Sequence, residues 1–80
     1  MATKAYILIE TAVGKTRDAV RALEKVPGIK TVDPVTGPYD IIATVEGKDL
    51  NAVGDLVTVS IHPVSGVTRT VTCLAVQLGK

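Results

Sequence analysis

Three stretches of this chain have the period of strands yet carry apolar side chains on both faces, and that limits the folds open to it. In residues 5–11, Ile7 and Ile9 fall on one side and Tyr6 and Leu8 on the other. In residues 39–46, Ile41, Ala43 and Val45 alternate with Asp40, Ile42 and Thr44. In residues 67–77, Val71, Cys73 and Ala75 oppose Thr70, Thr72, Leu74 and Val76. Such strands need cover on two sides. Residues 29–36 alternate imperfectly, and Pro34, which has no N–H for a ladder, predicts an edge strand or a bulge there.

Between these strands the period changes. After Gly14, Ala19, Val20, Leu23 and Val26 fall on one helical face, with Thr16 as the expected N-cap and Pro27-Gly28 as the stop. Asp49 is the expected cap of a second helix whose stripe is Leu50, Val53, Leu56, Val57 and Ile61, ending at Pro63. Gly54 and the branched cluster Val57-Thr58-Val59 lower helix propensity, so residues 56–61 also read as a strand. The halves echo each other, since Val26-Pro27-Gly28-Ile29 and Val64-Ser65-Gly66-Val67 stand at the same place between a helix and its following strand.

The order βαββαβ is that of the ferredoxin-like, split βαβ fold, an α+β architecture with a four-stranded antiparallel sheet and both helices on one face. One domain spans residues 1–80. A chain of this length buries roughly two-thirds of its unfolded surface by itself. With the second sheet face also apolar, a dimer packed sheet to sheet is the expectation. The only aromatic residues are Tyr6 and Tyr39, so the core is built from Val, Ile, Leu and Ala.

Charge and cysteine usage exclude several functions. A formal net charge of +1 with scattered Lys and Arg gives no basic stripe for a nucleic-acid backbone. The single cysteine, Cys73, excludes an internal disulfide, fits a reducing compartment, and is expected to be a small buried hydrophobe. The N-terminus lacks the apolar core of a signal peptide and no run approaches a membrane span, so a cytoplasmic protein is expected.

The polar residues that stand out are in two turns and the strand after the second. Gly37-Pro38-Tyr39-Asp40 precedes the third strand, and Gly66-Val67-Thr68-Arg69-Thr70-Val71-Thr72 leads the last. Together with Pro27-Gly28-Ile29, in this order and spacing, these motifs resemble the ligand-binding domain of the Lrp/AsnC transcription regulators, the RAM (regulation of amino acid metabolism) domain. The likeness covers nearly the whole chain. It implies a dimeric α/β barrel that assembles into rings of dimers and binds an amino acid effector where dimers meet. Members usually carry an N-terminal helix-turn-helix, whereas this chain begins at its first strand and so resembles a stand-alone sensing domain with no direct nucleic-acid contact. Its expected partners are full-length regulators of the family or a metabolic enzyme, with no cofactor, metal or membrane.

On that resemblance the ligand-binding residues are Gly37, Tyr39, Asp40, Ser65, Gly66, Thr70 and Thr72. Gly37 permits a tight turn and close backbone approach, although an ordinary hairpin asks the same. Tyr39 can turn its hydroxyl to a ligand or pack at a subunit interface. Asp40 can hold an α-amino group, or it can bond nearby backbone amides. Thr70 and Thr72 lie two apart and share one face of a strand, with the Ser65-Gly66 backbone placed for a carboxylate; strand propensity alone also explains two threonines there.

His62 is the lone histidine, at the expected end of the second helix, where a cation is favourable without any reaction. No metal spacing, phosphate loop or nucleophile elbow is present in the sequence. The leading reading is therefore a binding module rather than an enzyme. The alternatives are a small dimeric α/β-barrel enzyme, a regulatory domain of the ACT type, and a scaffold subunit without ligand.

Overall fold

Strand alternation assigns one face of the sheet to the core. The computed structural model describes residues 2–78. Strand β1 (Thr3–Thr11) is followed by α1 (Thr16–Glu24), β2 (Ile29–Pro34), β3 (Ile41–Gly47), α2 (Leu50–Asp55), a π-helical segment (Leu56–Ile61) and β4 (Val67–Leu74). The sheet order is β2-β3-β1-β4, with every neighbouring pair antiparallel. This is the ferredoxin-like fold, and β2 takes the edge position that Pro34 predicts.

Central strands β1 and β3 contribute Ala5, Ile7 and Ile9 and, in register with them, Val45, Ala43 and Ile41. All six are fully buried. Ala19 and Leu23 of α1, Val53 of α2, and Val57 and Ile61 of the π-helical segment complete one cluster with them, and no polar side chain among the described residues is buried in it. Both helices therefore cover the same face. Each buried aliphatic side chain contributes about 1.5–3 kcal/mol by leaving water.

The opposite face has no helix over it. Register brings Leu8 beside Ile42 and Val71, and Tyr6 beside Thr44 and Cys73. Cys73 is consequently exposed, not buried as its apolar surroundings in sequence suggest. Around this apolar stripe lie a Thr31–Thr44 hydroxyl pair at 2.6 Å, an Arg69–Glu10 ion pair at 3.3 Å and the Lys4 ammonium 5.1 Å from the Tyr6 ring centroid.

Several boundaries differ from expectation for identifiable reasons. The N-cap of α1 is Lys15 without a side-chain bond, because the Thr16 hydroxyl is paired with that of Thr11 at 2.7 Å. Strand β2 stops at Pro34 and β3 begins at Ile41, so Tyr39 and Asp40 lie in the hairpin loop, which Val35 N–H closes onto the Asp40 carbonyl at 2.9 Å. Strand β4 ends at Leu74, although Ala75 N–H still donates to the Lys4 carbonyl. Residues 56–61 are helical, not extended. Branched Val57, Thr58 and Val59 sit in a wider π turn, in which His62 N–H reaches the Val57 carbonyl at 2.8 Å.

The internal echo is real in three dimensions. Ile29 N–H bonds the Val26 carbonyl and Val67 N–H bonds the Val64 carbonyl, with Gly28 at φ 95° and Gly66 at φ 94° in the third position of each turn. A side chain is disfavoured in that conformation. At Gly66 an added Cβ would also stand 2.7 Å from the Lys15 Cβ.

Asp49 caps α2 as expected, accepting from Ala52 N–H at 2.9 Å. Asp49→Ala is expected to cost about 1 kcal/mol, and Ile7→Ala, deep in the cluster, about 2–5 kcal/mol. Urea denaturation at one fixed protein concentration measures both; equal losses would contradict this division between cap and core.

Candidate functional site at the end of β1

Both motif turns converge on the C-terminal end of β1. Asp40 N–H donates to the Ile9 carbonyl at 2.9 Å, and the Asp40 Oδ2 accepts from Thr11 N–H at 2.8 Å. The next amide, Ala12 N–H, donates to the Gly66 carbonyl at 2.8 Å. Two consecutive amides of the β1–α1 connection are thus held by the two turns, one from each side. The Thr11 amide faces β3, which begins only at Ile41, and the Ala12 amide faces β4, whose register with β1 shifts between Glu10 and Thr11.

Asp40 is half-buried and spends one carboxylate oxygen on the chain itself. Tyr39 is also half-buried, whereas Gly37, at φ 123°, is exposed with open space where a Cβ would stand. Ser65 is exposed beside Gly66.

Thr70 and Thr72 pair with Ile9 and Ile7, which puts both on the helix side of edge strand β4. Thr70 is half-buried and Thr72 exposed. Asp40 and Thr70 therefore come from opposite sides of β1, their backbones about 10 Å apart at two strand spacings. The predicted residues form two groups, not one ring of contacts.

His62 joins the second group. Its Nε2 lies 2.8 Å from the Thr70 Oγ1, and both line a concavity of about 310 Å³ with Val67, Thr68 and Arg69. No sequence signal points to this pairing; only the end of the π-helical segment brings an imidazole to β4. A larger hollow of about 460 Å³, lined by Ala2, Gly28, Lys30, Glu46, Gly47 and Lys48, lies at the other end of β3 and contains none of the predicted residues. Among the described residues no group of three or more His, Cys, Asp or Glu is placed to hold a metal, and no helix is long and apolar enough to cross a membrane.

Comparison with known proteins gives a consistent family. Residues 4–78 match the family model described as the Lrp/AsnC ligand binding domain. A homocitrate synthase of Sulfurisphaera tokodaii is 37% identical over 62 residues, which are 78% of this chain but 13% of the synthase. A crystal structure from Thermus thermophilus superposes with a TM-score of 0.89 at 35% identity, covering 98% of each chain. A transcriptional regulator of Neisseria meningitidis, solved as an L-Met complex, shares the fold with a TM-score of 0.84 at 19% identity, covering 98% of this chain and 52% of that one.

Removing the Asp40 carboxylate orphans Thr11 N–H. Asp40→Ala is expected to destabilise by about 1–3 kcal/mol, and Asp40→Asn, which keeps an acceptor oxygen, by less. Thermal unfolding of the two variants decides it; equal stability of Asp40→Ala and wild type would mean that the bond to Thr11 contributes nothing.

Proposed function

The chain belongs to the Lrp/AsnC ligand-binding domain family, and on that premise we propose that it is an amino-acid-responsive regulatory domain. It acts by binding, through oligomeric assembly and contact with a partner, rather than by catalysis. The observation that carries this reading is the convergence of Asp40 and Gly66, one from each family motif, on the amides of Thr11 and Ala12. Ligand at either turn then bears on the other.

The proposed effector site comprises Gly37, Tyr39, Asp40, Ser65, Gly66, Thr70 and Thr72. The free oxygen of Asp40 takes the effector's α-amino group, and the second turn and the β4 threonines take its head-group oxygens. Since Asp40 and Thr70 stand on opposite sides of β1, the proposal includes a second chain completing each site, in a ring of dimers. The helix-free face with Tyr6, Leu8, Ile42 and Val71 supports sheet-to-sheet pairing within the dimer. The L-Met complex of the Neisseria regulator supports an amino acid as the ligand class. The proposed compartment is the cytoplasm.

A second reading concerns the partner. The homocitrate synthases contain a segment like this chain in a small fraction of their length, which supports modulation of a metabolic enzyme as an alternative to modulation of transcription.

Native mass spectrometry against each of the twenty amino acids at millimolar concentration tests the proposal. A ring that retains one or a few of them, and changes its subunit number in response, is the expected result. An assembly of fixed size that retains none would refute it. Affinity in the micromolar to millimolar range, about −8 to −4 kcal/mol, is expected, and Asp40→Asn should weaken it clearly while the far-ultraviolet circular dichroism is unchanged; unaltered affinity removes Asp40 from the site.

A further inference from the structure

We infer that His62 and Thr70 form the anchor for the effector's carboxylate, with Thr68 at its rim, an inference that deepens the effector-binding reading above. The two side chains are eight positions apart and meet at 2.8 Å across the turn between the π-helical segment and β4. Backbone bonds fix both ends of the pair. His62 N–H is bonded to the Val57 carbonyl beside fully buried Ile61, and Thr70 is paired in register with fully buried Ile9. A site carried by such rigid elements holds its geometry.

The chemistry of the lining favours an anion. Three of the five residues around the concavity, His62, Thr68 and Thr70, offer side-chain hydrogen-bond donors on this side of the sheet, and none of the five is a carboxylate. Thr68 is already committed, its hydroxyl donating to the Glu10 carbonyl at 3.1 Å. The Arg69 guanidinium is turned to the other face of the sheet, where it pairs with Glu10. With its Nε2–H donating to Thr70 Oγ1, His62 leaves the threonine's own O–H to be given to a ligand oxygen. A carboxylate receives a charge-assisted bond roughly twice as strong as the one a neutral amide accepts. The concavity, about 310 Å³, lies at the small end of the range for small-molecule sites.

Because the chain has a single histidine, its imidazole signals in a tag-free protein need no assignment. We would follow them by NMR while titrating acetate and, separately, acetamide, which keeps the shape and loses the charge. A saturable shift with acetate and none with acetamide is expected. Thr70→Val should weaken acetate about fivefold, the value of one hydrogen bond, and Thr70→Ser, which keeps the hydroxyl, should restore it. No saturable shift with acetate overturns the inference even if native mass spectrometry finds an amino acid bound elsewhere. An equal response to acetamide overturns it as well. Saturation by acetate in a protein that retains no amino acid upholds the carboxylate anchor and removes the sensor reading instead.

Discussion

One-sided coverage of the sheet governs everything else in this chain. The two helices put all of their buried side chains on the face formed by Ala5, Ile7, Ile9, Ile41, Ala43 and Val45. The described residues supply no third layer. Tyr6, Leu8, Ile42 and Val71 stay only half-buried because their strands must present alternate residues to the other side. The same register that builds the core thus builds an apolar surface. Polar neighbours at its margin, the Arg69–Glu10 pair above all, are exposed and stabilise the single chain little.

The end of β1 couples architecture to the candidate site. Past the start of β3 at Ile41 the Thr11 amide is taken by Asp40, and past the β1–β4 register shift the Ala12 amide is taken by Gly66. Thr11 is half-buried and Ala12 exposed, so each of these bonds contributes about 0.5–1.5 kcal/mol, and more where the acceptor is the Asp40 carboxylate. Both family motifs therefore have a structural duty that does not depend on ligand. Their presence in a sequence marks the fold as much as the function, and only the oxygens left over, such as the second one of Asp40, are free for an effector.

The sequence is legible where a local rule decides structure, and silent where register does. Asp49 is read as a cap because the cap bond is made three residues along the chain. The turns carrying Gly28 and Gly66 are read because a positive φ demands glycine wherever the turn occurs. Thr16 misleads, since its hydroxyl has a tertiary partner in Thr11 that local capping rules do not weigh. The bond from Thr11 N–H to Asp40 spans 29 residues and exists only because β1 and β3 pair in one register. For the same reason His62 reads from sequence as no more than a helix-terminal cation. Its position against Thr70 follows from a π turn that propensity flags merely as poor helix.

Exposure of the second group makes ligand binding and assembly inseparable on this reading. His62, Thr68 and Arg69 are open to solvent in the single chain, and hydrogen bonds made in competition with water yield only about 0.5–1.5 kcal/mol each. Two or three of them fall short of the affinity a metabolite sensor requires once the cost of immobilising the ligand is met. A second chain closing over the concavity would remove water and strengthen each bond. The coupling is then reciprocal, because whatever assembly adds to effector affinity the effector returns to assembly. Regulation by such a domain needs no internal conformational switch, only a ligand that one chain holds weakly and two hold well.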